Sequence, residues 1–549
     1  MGKCGRLATA FVFLVISCAS ATTSSDPLPT HRRAVSPSPG VVQWNHEWAR
    51  GAVCYEIFIR SFEDADGDGI GDLKGLTAKL DYLNDGDPAT TTDLGIDAIW
   101  LTPIFESPSY HGYDTVDYEA IEKDYGTMTD FRRFVDEAHK RGIRVILDFV
   151  MNHTSSQHPW FLESASSPTS AKRNWYVWSA TDPGWKQPWG GDPSWHPLNG
   201  AYFYGVFWEG MPDLNYRTPE VKAEMFRLAR YWLGQGVDGF RLDATRYLVE
   251  TGPGLGQADT PETHQVLQEL STDVRNTKPE AVLVAENTTD IINLARYYGS
   301  TAVVRGGDEI PMNFNFPLAD AVMDGVKNGN AAGITATLRA IGSAYPQGII
   351  DAPFLTNHDR TRVATVLGND VGKLRNAAAV LLTLPGMPFI YYGEEVGLQN
   401  GPTSADESKR TPMPWSASGG FTTGTPWFGY APGLATGNVA SQTNDPQSLL
   451  SYYRNWIAAR KRSAGLTKGD LTPLDAGAQI LAYTRGTSDE NVLVLHNLGA
   501  AAVTAGPLAV SAAMLEPVYT DAGVSAPAGA PGAWRVTLPP HSSGVWRLR

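Results

Sequence analysis

Eight strand-like segments alternate with helical patterns between residues 53 and 392 of this 549-residue chain. That alternation predicts an α/β fold built on a (β/α)8 TIM barrel. Two further observations complete the architecture. One strand-to-helix connection is too long for a simple loop and predicts an inserted domain after the third strand. Beyond about residue 465, short alternating segments separated by Gly, Pro and Ala predict a C-terminal antiparallel β-sandwich. The expected divisions are an N-terminal segment 1–21, a linker 22–41, the barrel in 42–153 and 214–464, the insert 154–213 and the C-terminal domain 465–549.

The chain opens with Lys3 and Arg6 before an apolar run from Leu7 to Ser17, which reads as a secretory signal and is too short to span a bilayer. Two processing sites compete. Ala19-Ser20-Ala21 is a small-x-small site, whereas Val15-Ile16-Ser17-Cys18 resembles a bacterial lipobox that would leave Cys18 lipidated. Either way the chain is expected to be extracytoplasmic, with a lipid at Cys18 as its sole membrane contact. The third and last cysteine, Cys54, lies among apolar residues and is expected to be a buried small hydrophobe.

The barrel strands are expected at Val53–Arg60, Ile96–Pro103, Arg144–Val150, Val237–Ala244, Ala281–Asn287, Asn313–Phe316, Pro353–Thr356 and Met387–Tyr392. Helices are expected over Met128–Arg141, Pro219–Gln235 and Gly372–Leu384, with no clear helix between His153 and Pro219. That insert holds Trp160, Trp175, Trp178, Trp185, Trp189, Trp195 and Trp208. Aromatic faces of this kind stack on sugar rings, but most are expected to build the insert's own core.

The composition is globular, 42% hydrophobic and 19% charged, and the formal net charge of −14 argues against a nucleic-acid partner. The chain is expected to act as a monomer.

Three features carry chemistry. The stretch Gly239-Phe240-Arg241-Leu242-Asp243 puts Arg241 and Asp243 on one face and Phe240 and Leu242 on the other. Asp243, Glu286 and Asp359 all fall at or near strand ends, where a barrel gathers them at one mouth. Two carboxyl groups across a scissile bond, one ionised and one protonated, are what glycoside hydrolysis needs. Burial among like charges raises one pKa and so creates the acid, while a guanidinium such as Arg241 keeps its neighbour ionised. His153 and His358 are candidates to bond sugar hydroxyls. Finally, Asp64, Asp66, Asp68, Ile70 and Asp72 occupy positions 1, 3, 5, 7 and 9 of a loop with Gly69 at its turn, the spacing of a Ca2+ site. Position 12 is Gly75 rather than Glu, so it is no EF-hand.

The ordered stretches Asp148-Phe149-Val150-Met151-Asn152-His153, Gly239–Ala244, Ala285-Glu286-Asn287 and Phe354–Asp359 resemble the signature regions of the α-amylase family, glycoside hydrolase family 13. Gly112-Tyr113-Asp114, Tyr391–Glu395 and Arg410–Trp415 add to the match. The resemblance implies Asp243 as nucleophile, Glu286 as general acid/base and Asp359 as the residue gripping ring hydroxyls. It implies that Arg241 orients the nucleophile, that His153, His358 and Asp114 bind the sugar, and that Tyr113 stacks beneath it. It also implies calcium at the Asp64–Asp72 loop, and retention of the anomeric configuration. The expected substrate is an α-glucan or maltooligosaccharide, cut as an α-amylase would.

Met211-Pro212-Asp213-Leu214-Asn215 is similar to a group between the oligo-1,6-glucosidases and the neopullulanases. Asn152 and Asp213 match two ligands of a second family calcium, but the expected His is Tyr247, and the Lys before it is Arg246. The rivals are an α-glucosidase or oligo-1,6-glucosidase, with Asp114 and Arg410 paired to close the pocket, a transglycosylase or isomerase such as trehalose synthase, and a non-catalytic sugar-binding scaffold.

Overall fold

The computed structural model describes residues 40–549, so the segment 1–21, Cys18 and most of the linker lie outside the described residues. Seven parallel strands form one curled sheet in the order Met312–Asn313, Val282–Ala285, Gly239–Leu242, Arg144–Phe149, Ala98–Leu101, Cys54–Ile57 and Phe389–Tyr391. Bridges from Ala352 to Phe314 and from Phe354 to Phe389 close the ring. This is the TIM barrel, with the expected seventh strand reduced to those two bridges. Each strand is shorter than the apolar run that marked it.

The alternation of each strand sorts its side chains. Cys54, Trp100, Ile146, Val284, Phe314 and Phe389 fill the barrel interior, while Tyr55, Ile99, Leu147, Phe240 and Leu283 pack outward against the helices. Burying one such outward side chain contributes about 1.5–3 kcal/mol. Cys54 is fully buried, as expected.

Helices form at Met128–Lys140, Pro219–Gly234 and Val371–Thr383. The first begins with a capping box between Thr127 and Asp130. Two expectations fail. The strand set at Asn313–Phe316 ends at Asn313; Asn315 caps a helix over Phe316–Asn328 by accepting from the Leu318 N–H, so Phe316 is helical. The insert also contains a helix, Pro159–Ser166, with His158 accepting from the Trp160 N–H and Pro159 at its first position.

The insert leaves the barrel at His153 and returns at Asp213, two residues joined by a bridge. Its strands Trp178–Ser179, Ala201–Tyr204 and Trp195–Leu198 form an antiparallel sheet. C-terminally, a five-stranded antiparallel sheet begins at Asp470 and faces a two-stranded one, Val503–Leu508 with Trp534–Leu538. Leu493, Leu495, Val536, Leu538 and Trp546 form the core between them. Among the described residues no helix is long and apolar enough to cross a membrane.

Candidate active site

The nucleophile candidate sits on a strand whose backbone admits few alternatives. Gly239 opens it at φ 156°, and a Cβ there would lie 2.2 Å from the Val282 carbonyl oxygen. Ala244 follows Asp243 in the left-handed region at φ 50°, a conformation that costs an Ala about 1–2 kcal/mol. Strain of this kind concentrates where a chain must aim a side chain. Here it turns the chain so that the Ala244 N–H points to Glu286 Oε2 at 3.4 Å.

Arg241 is the hub. Its Nη1 donates to Asp243 Oδ1 at 2.7 Å and to both oxygens of Asp148 at 2.9 and 3.0 Å. Its Nη2 donates to Glu286 Oε2 at 2.6 Å. The guanidinium carbon also lies 5.2 Å from the Trp100 ring centroid. One buried cation therefore holds three carboxyl groups from three adjacent strands.

A second set completes the mouth. His358 is bonded through Nδ1 to Glu56 at 2.6 Å, and through Nε2 to the Tyr113 hydroxyl at 2.6 Å. The same Nε2 lies 3.1 Å from Asp359 Oδ2. The Tyr113 hydroxyl donates to Asp148 Oδ2 at 2.9 Å, and the Tyr113 and His358 rings stack at 14°. Asp359 also pairs with Arg410, whose Nη2 is 2.8 Å away, and Arg410 reaches the Tyr110 hydroxyl at 2.9 Å. His153 Nε2 contacts the Tyr113 carbonyl oxygen at 3.1 Å, which makes that nitrogen the protonated one.

Five carboxyl groups (Glu56, Asp148, Asp243, Glu286 and Asp359) thus face three cations, Arg241, Arg410 and protonated His358. Complete ionisation would leave buried negative charge uncompensated, so the site retains a proton. Burial pushes Glu286 up to about 7, against the pull of Arg241 and with the push of Asp243 and Asp359. Burial also raises Asp243, to about 6, with Arg241 opposing. Burial works against the His358 charge, yet Asp359 and Glu56 lift it to about 9. Asp359, whose side chain is half exposed at the mouth, falls well below the usual carboxylate range under the pull of His358 and Arg410. Burial lowers His153 to about 4, so it is neutral. Of this pair, Glu286 holds its proton to the higher pH.

The mouth brings together Asp243, Glu286, Asp359, Arg241, His358, Tyr113 and His153. Asp114 stands differently: it is buried and accepts from Ser107 Oγ at 2.8 Å and from Ser109 Oγ. It makes no pair with Arg410, which belongs to Asp359 instead; two nearby serines satisfy the carboxylate, and no guanidinium is required. Glu56 and Asp148 were missed as site residues. Strand alternation signals both, since each shares the inward face with Cys54 or Ile146.

At the acidic loop, Asp64, Asp66 and Asp72 each offer an oxygen within 4.8 Å of the others. Asp68 lies outside that group and accepts from the Ile70 N–H at 2.8 Å. Asp64 accepts from the Gly67 and Gly69 N–H groups, and Asp72 caps the next helix through the Lys74 and Gly75 N–H groups. Gly69 has φ 96°, and a Cβ there would lie 2.0 Å from the Thr425 carbonyl oxygen. Three convergent carboxylates on a turn that only glycine permits fit a hard divalent cation. Asn152 and Asp213 are both buried, and Asn152 Oδ1 and Asp213 Oδ2 have no hydrogen-bond partner.

The model of the alpha amylase catalytic domain matches residues 56–469. The chain is 38% identical over 461 residues to alpha-amylase 3 of Dictyoglomus thermophilum, covering 83% of this chain and 86% of that one. It is 34% identical over 509 residues to the trehalose synthase of Pimelobacter sp., covering 82% and 87%. The crystal structure of an alpha-amylase from H. orenii superposes with a TM-score of 0.81 at 36% identity, covering 91% of this chain and all of the other.

Proposed function

Because the chain belongs to the α-amylase family, glycoside hydrolase family 13, we propose that it is a retaining α-glucan hydrolase cleaving α-1,4 bonds of starch fragments or maltooligosaccharides. One observation carries the reading: a single guanidinium holds Asp243 and Glu286 together while Glu286 is the more readily protonated of the two.

Asp243 Oδ attacks the anomeric carbon as the glycosidic C–O bond breaks, and Glu286 passes its proton to the departing oxygen. The result is a glycosyl ester on Asp243. Glu286, now ionised, takes a proton from water, whose oxygen attacks the same carbon and releases Asp243. Two inversions return the original anomer. Arg241 stays charged throughout and holds the nucleophile's free oxygen away from protonation. Tyr113 supplies the apolar floor under the ring. Asp359, Asp114, His153 and His358 are the hydroxyl-binding groups.

Calcium at the loop would be held by Asp64, Asp66 and Asp72, the three carboxylates that converge there, and not by the expected Asp68. There it would supply the counter-charge that the loop lacks, beside the Thr422 hydroxyl that donates to Asp64 and ties the segment before the helix Leu73–Ala78 to the later loop. Residues 1–21 support an extracytoplasmic location, and incorporation of a labelled fatty acid that is lost in Cys18→Ser decides between lipoprotein and secreted protein.

Products distinguish the linkage and the mode of attack. Incubation with starch should release a ladder of maltooligosaccharides; glucose alone, from chain ends, would make the enzyme a glucosidase instead. The kinship to a trehalose synthase favours a second reading, intramolecular transfer. Maltose converted to trehalose rather than to glucose would establish it.

A further inference from the structure

Glu286 is gripped by one oxygen alone. The hydrogen bonds it receives, from Arg241 Nη2 and the Ala244 N–H, both end on Oε2. Among the described residues no hydrogen bond reaches Oε1, the oxygen left to carry a proton to a leaving group. Its aim therefore depends on the backbone at residue 286, which lies just past the end of the strand Val282–Ala285.

That backbone is held by the turn that follows the nucleophile. Thr245, directly after the left-handed Ala244, places Oγ1 2.7 Å from Asn287 Oδ1 and 3.1 Å from the Glu286 carbonyl oxygen, and donates between them. Asn287 Nδ2 donates to Asn313 Oδ1 at 2.8 Å, and Asn313 Nδ2 reaches the Ile310 carbonyl oxygen at 3.4 Å. One residue beyond Thr245, Arg246 is tied to Asp259 by bonds of 2.9 and 2.5 Å and donates to the Thr288 carbonyl oxygen. The turn after Asp243 thus clasps residues 286, 287 and 288 in succession.

The clasp stands away from the sugar. Strand alternation puts Leu283 and Ala285 outward and Val284 inward, so Glu286 faces the mouth and Asn287 the outer side. Asn313, between the interior residues Met312 and Phe314, faces outward too. Thr245, Asn287 and Asn313 are fully buried and come from the ends of three adjacent strands. A buried polar group left unpaired costs about 1–3 kcal/mol, whereas apolar groups of the same shape in place of both partners would be nearly neutral. Stability alone gives no reason for a polar chain here; directed bonds do, because they fix distance and angle where apolar contacts do not.

We infer that Thr245 and Asn287 are positioning residues: they clamp the Glu286 backbone to the turn after Asp243 and so fix the acid/base carboxyl at a set distance from the nucleophile. The inference rests on the roles of Asp243 and Glu286 proposed above. The effect on rate is steep, since a displacement of about 1 Å at a reacting group can cost about 100-fold.

The test separates proton transfer from the rest of the reaction. Thr245→Val keeps the shape and removes the hydroxyl. Its kcat for maltotetraose should fall about tenfold or more, with KM changed less than about twofold. First-turnover release of fluoride from α-glucosyl fluoride, which departs without a proton, should change less than about twofold. Thr245→Ser restores the hydroxyl and should recover most of the kcat. If Thr245→Val does not fold, Thr245→Ala, which leaves space beside Asn287, is read by the same ratio. An unchanged maltotetraose kcat, an equal loss on both substrates, or a Thr245→Ser enzyme as slow as Thr245→Val would overturn the inference and leave the catalytic reading intact. Failure of the parent enzyme on both substrates would remove the catalytic reading and the inference with it.

Discussion

The molecule gathers acidic groups in two places, and it treats them in opposite ways. At the barrel mouth every carboxyl group meets a protein cation or its relay: Arg241 for Asp148, Asp243 and Glu286, Arg410 and His358 for Asp359. In the Asp64–Asp72 loop no side-chain cation pairs with the aspartates among the described residues, and backbone N–H groups and the Thr422 hydroxyl are their partners. The cations pull Asp359 down while burial lifts Glu286 above Asp243, and a spread of proton affinities is the requirement for acid–base chemistry. Backbone donors partner the loop's carboxylate oxygens without cancelling their charge, which suits an external cation. The difference between the proposed proton-transfer site and the proposed cation site thus lies in who supplies the positive charge.

Breaking the mouth should have the largest effect. Asp243→Asn should lower kcat on a nitrophenyl maltooligosaccharide by about 10⁴-fold or more, since no other carboxylate stands where the nucleophile does. Glu286→Gln should cost about 10³-fold with sugar leaving groups and far less with fluoride, which departs without a proton. A variant of either residue with near-parental turnover of the oligosaccharide would dissolve the contrast between the two acidic regions.

Removing the hub cation tests the charge arrangement itself. Arg241→Leu should destabilise the fold by about 3–5 kcal/mol, because it strands buried carboxylates, and it should move the acid limb of the rate profile upward by releasing Asp243 from its cation. For the parent enzyme the sign follows from the two groups. Activity should fall below about pH 6 as Asp243 gains its proton and above about pH 7 as Glu286 loses its own. A profile flat across that range would contradict the division of roles.

His358 sets a third, smaller effect. Its folded value, about 9, lies above its ordinary 6.5. The stability it contributes is fully present below pH 6.5 and lost as pH rises through 9; the interval corresponds to about 3 kcal/mol. Denaturant melts of the parent and His358→Gln should therefore differ most near pH 6 and converge near pH 9. The loop should respond in the same range but to a different agent. Calcium at a hundredfold excess over its Kd adds about 2.7 kcal/mol of stability, chelation removes it, and Asp64→Ala should be indifferent to both. Equal calcium response in the parent and Asp64→Ala would place the cation elsewhere.

Much of the architecture was legible because strand alternation is a local property. Arg241 and Asp243 share a face for the same reason that Phe240 and Leu242 face the helices. What escaped depended on partners distant in sequence. The closing strand at residues 352–354 is too short to announce itself and exists through bridges to Phe314 and Phe389. Pro159–Ser166 was hidden because its eight residues lack an apolar stripe, and only the His158 cap and Pro159 mark its start. The expected pairing of Asp114 with Arg410 does not form. The fold instead sets it against Asp359, because Ser107 and Ser109, neighbours in the same hairpin, already satisfy Asp114. Glu56 and Asp148 lay in plain view on inward faces, yet their roles appear only once His358 and Arg241 arrive from other strands.

A nucleophilic Asp243 would bond the anomeric carbon, and that ester can be trapped. An α-glucosyl fluoride bearing a second fluorine at C5 slows release of the glycosyl ester while keeping a good leaving group, so the intermediate should accumulate. Mass mapping of the digested protein should find the fluoroglucosyl group on the peptide containing Asp243, with none formed in Asp243→Asn. Labelling of a different carboxylate, or turnover with no covalent adduct at all, would contradict it.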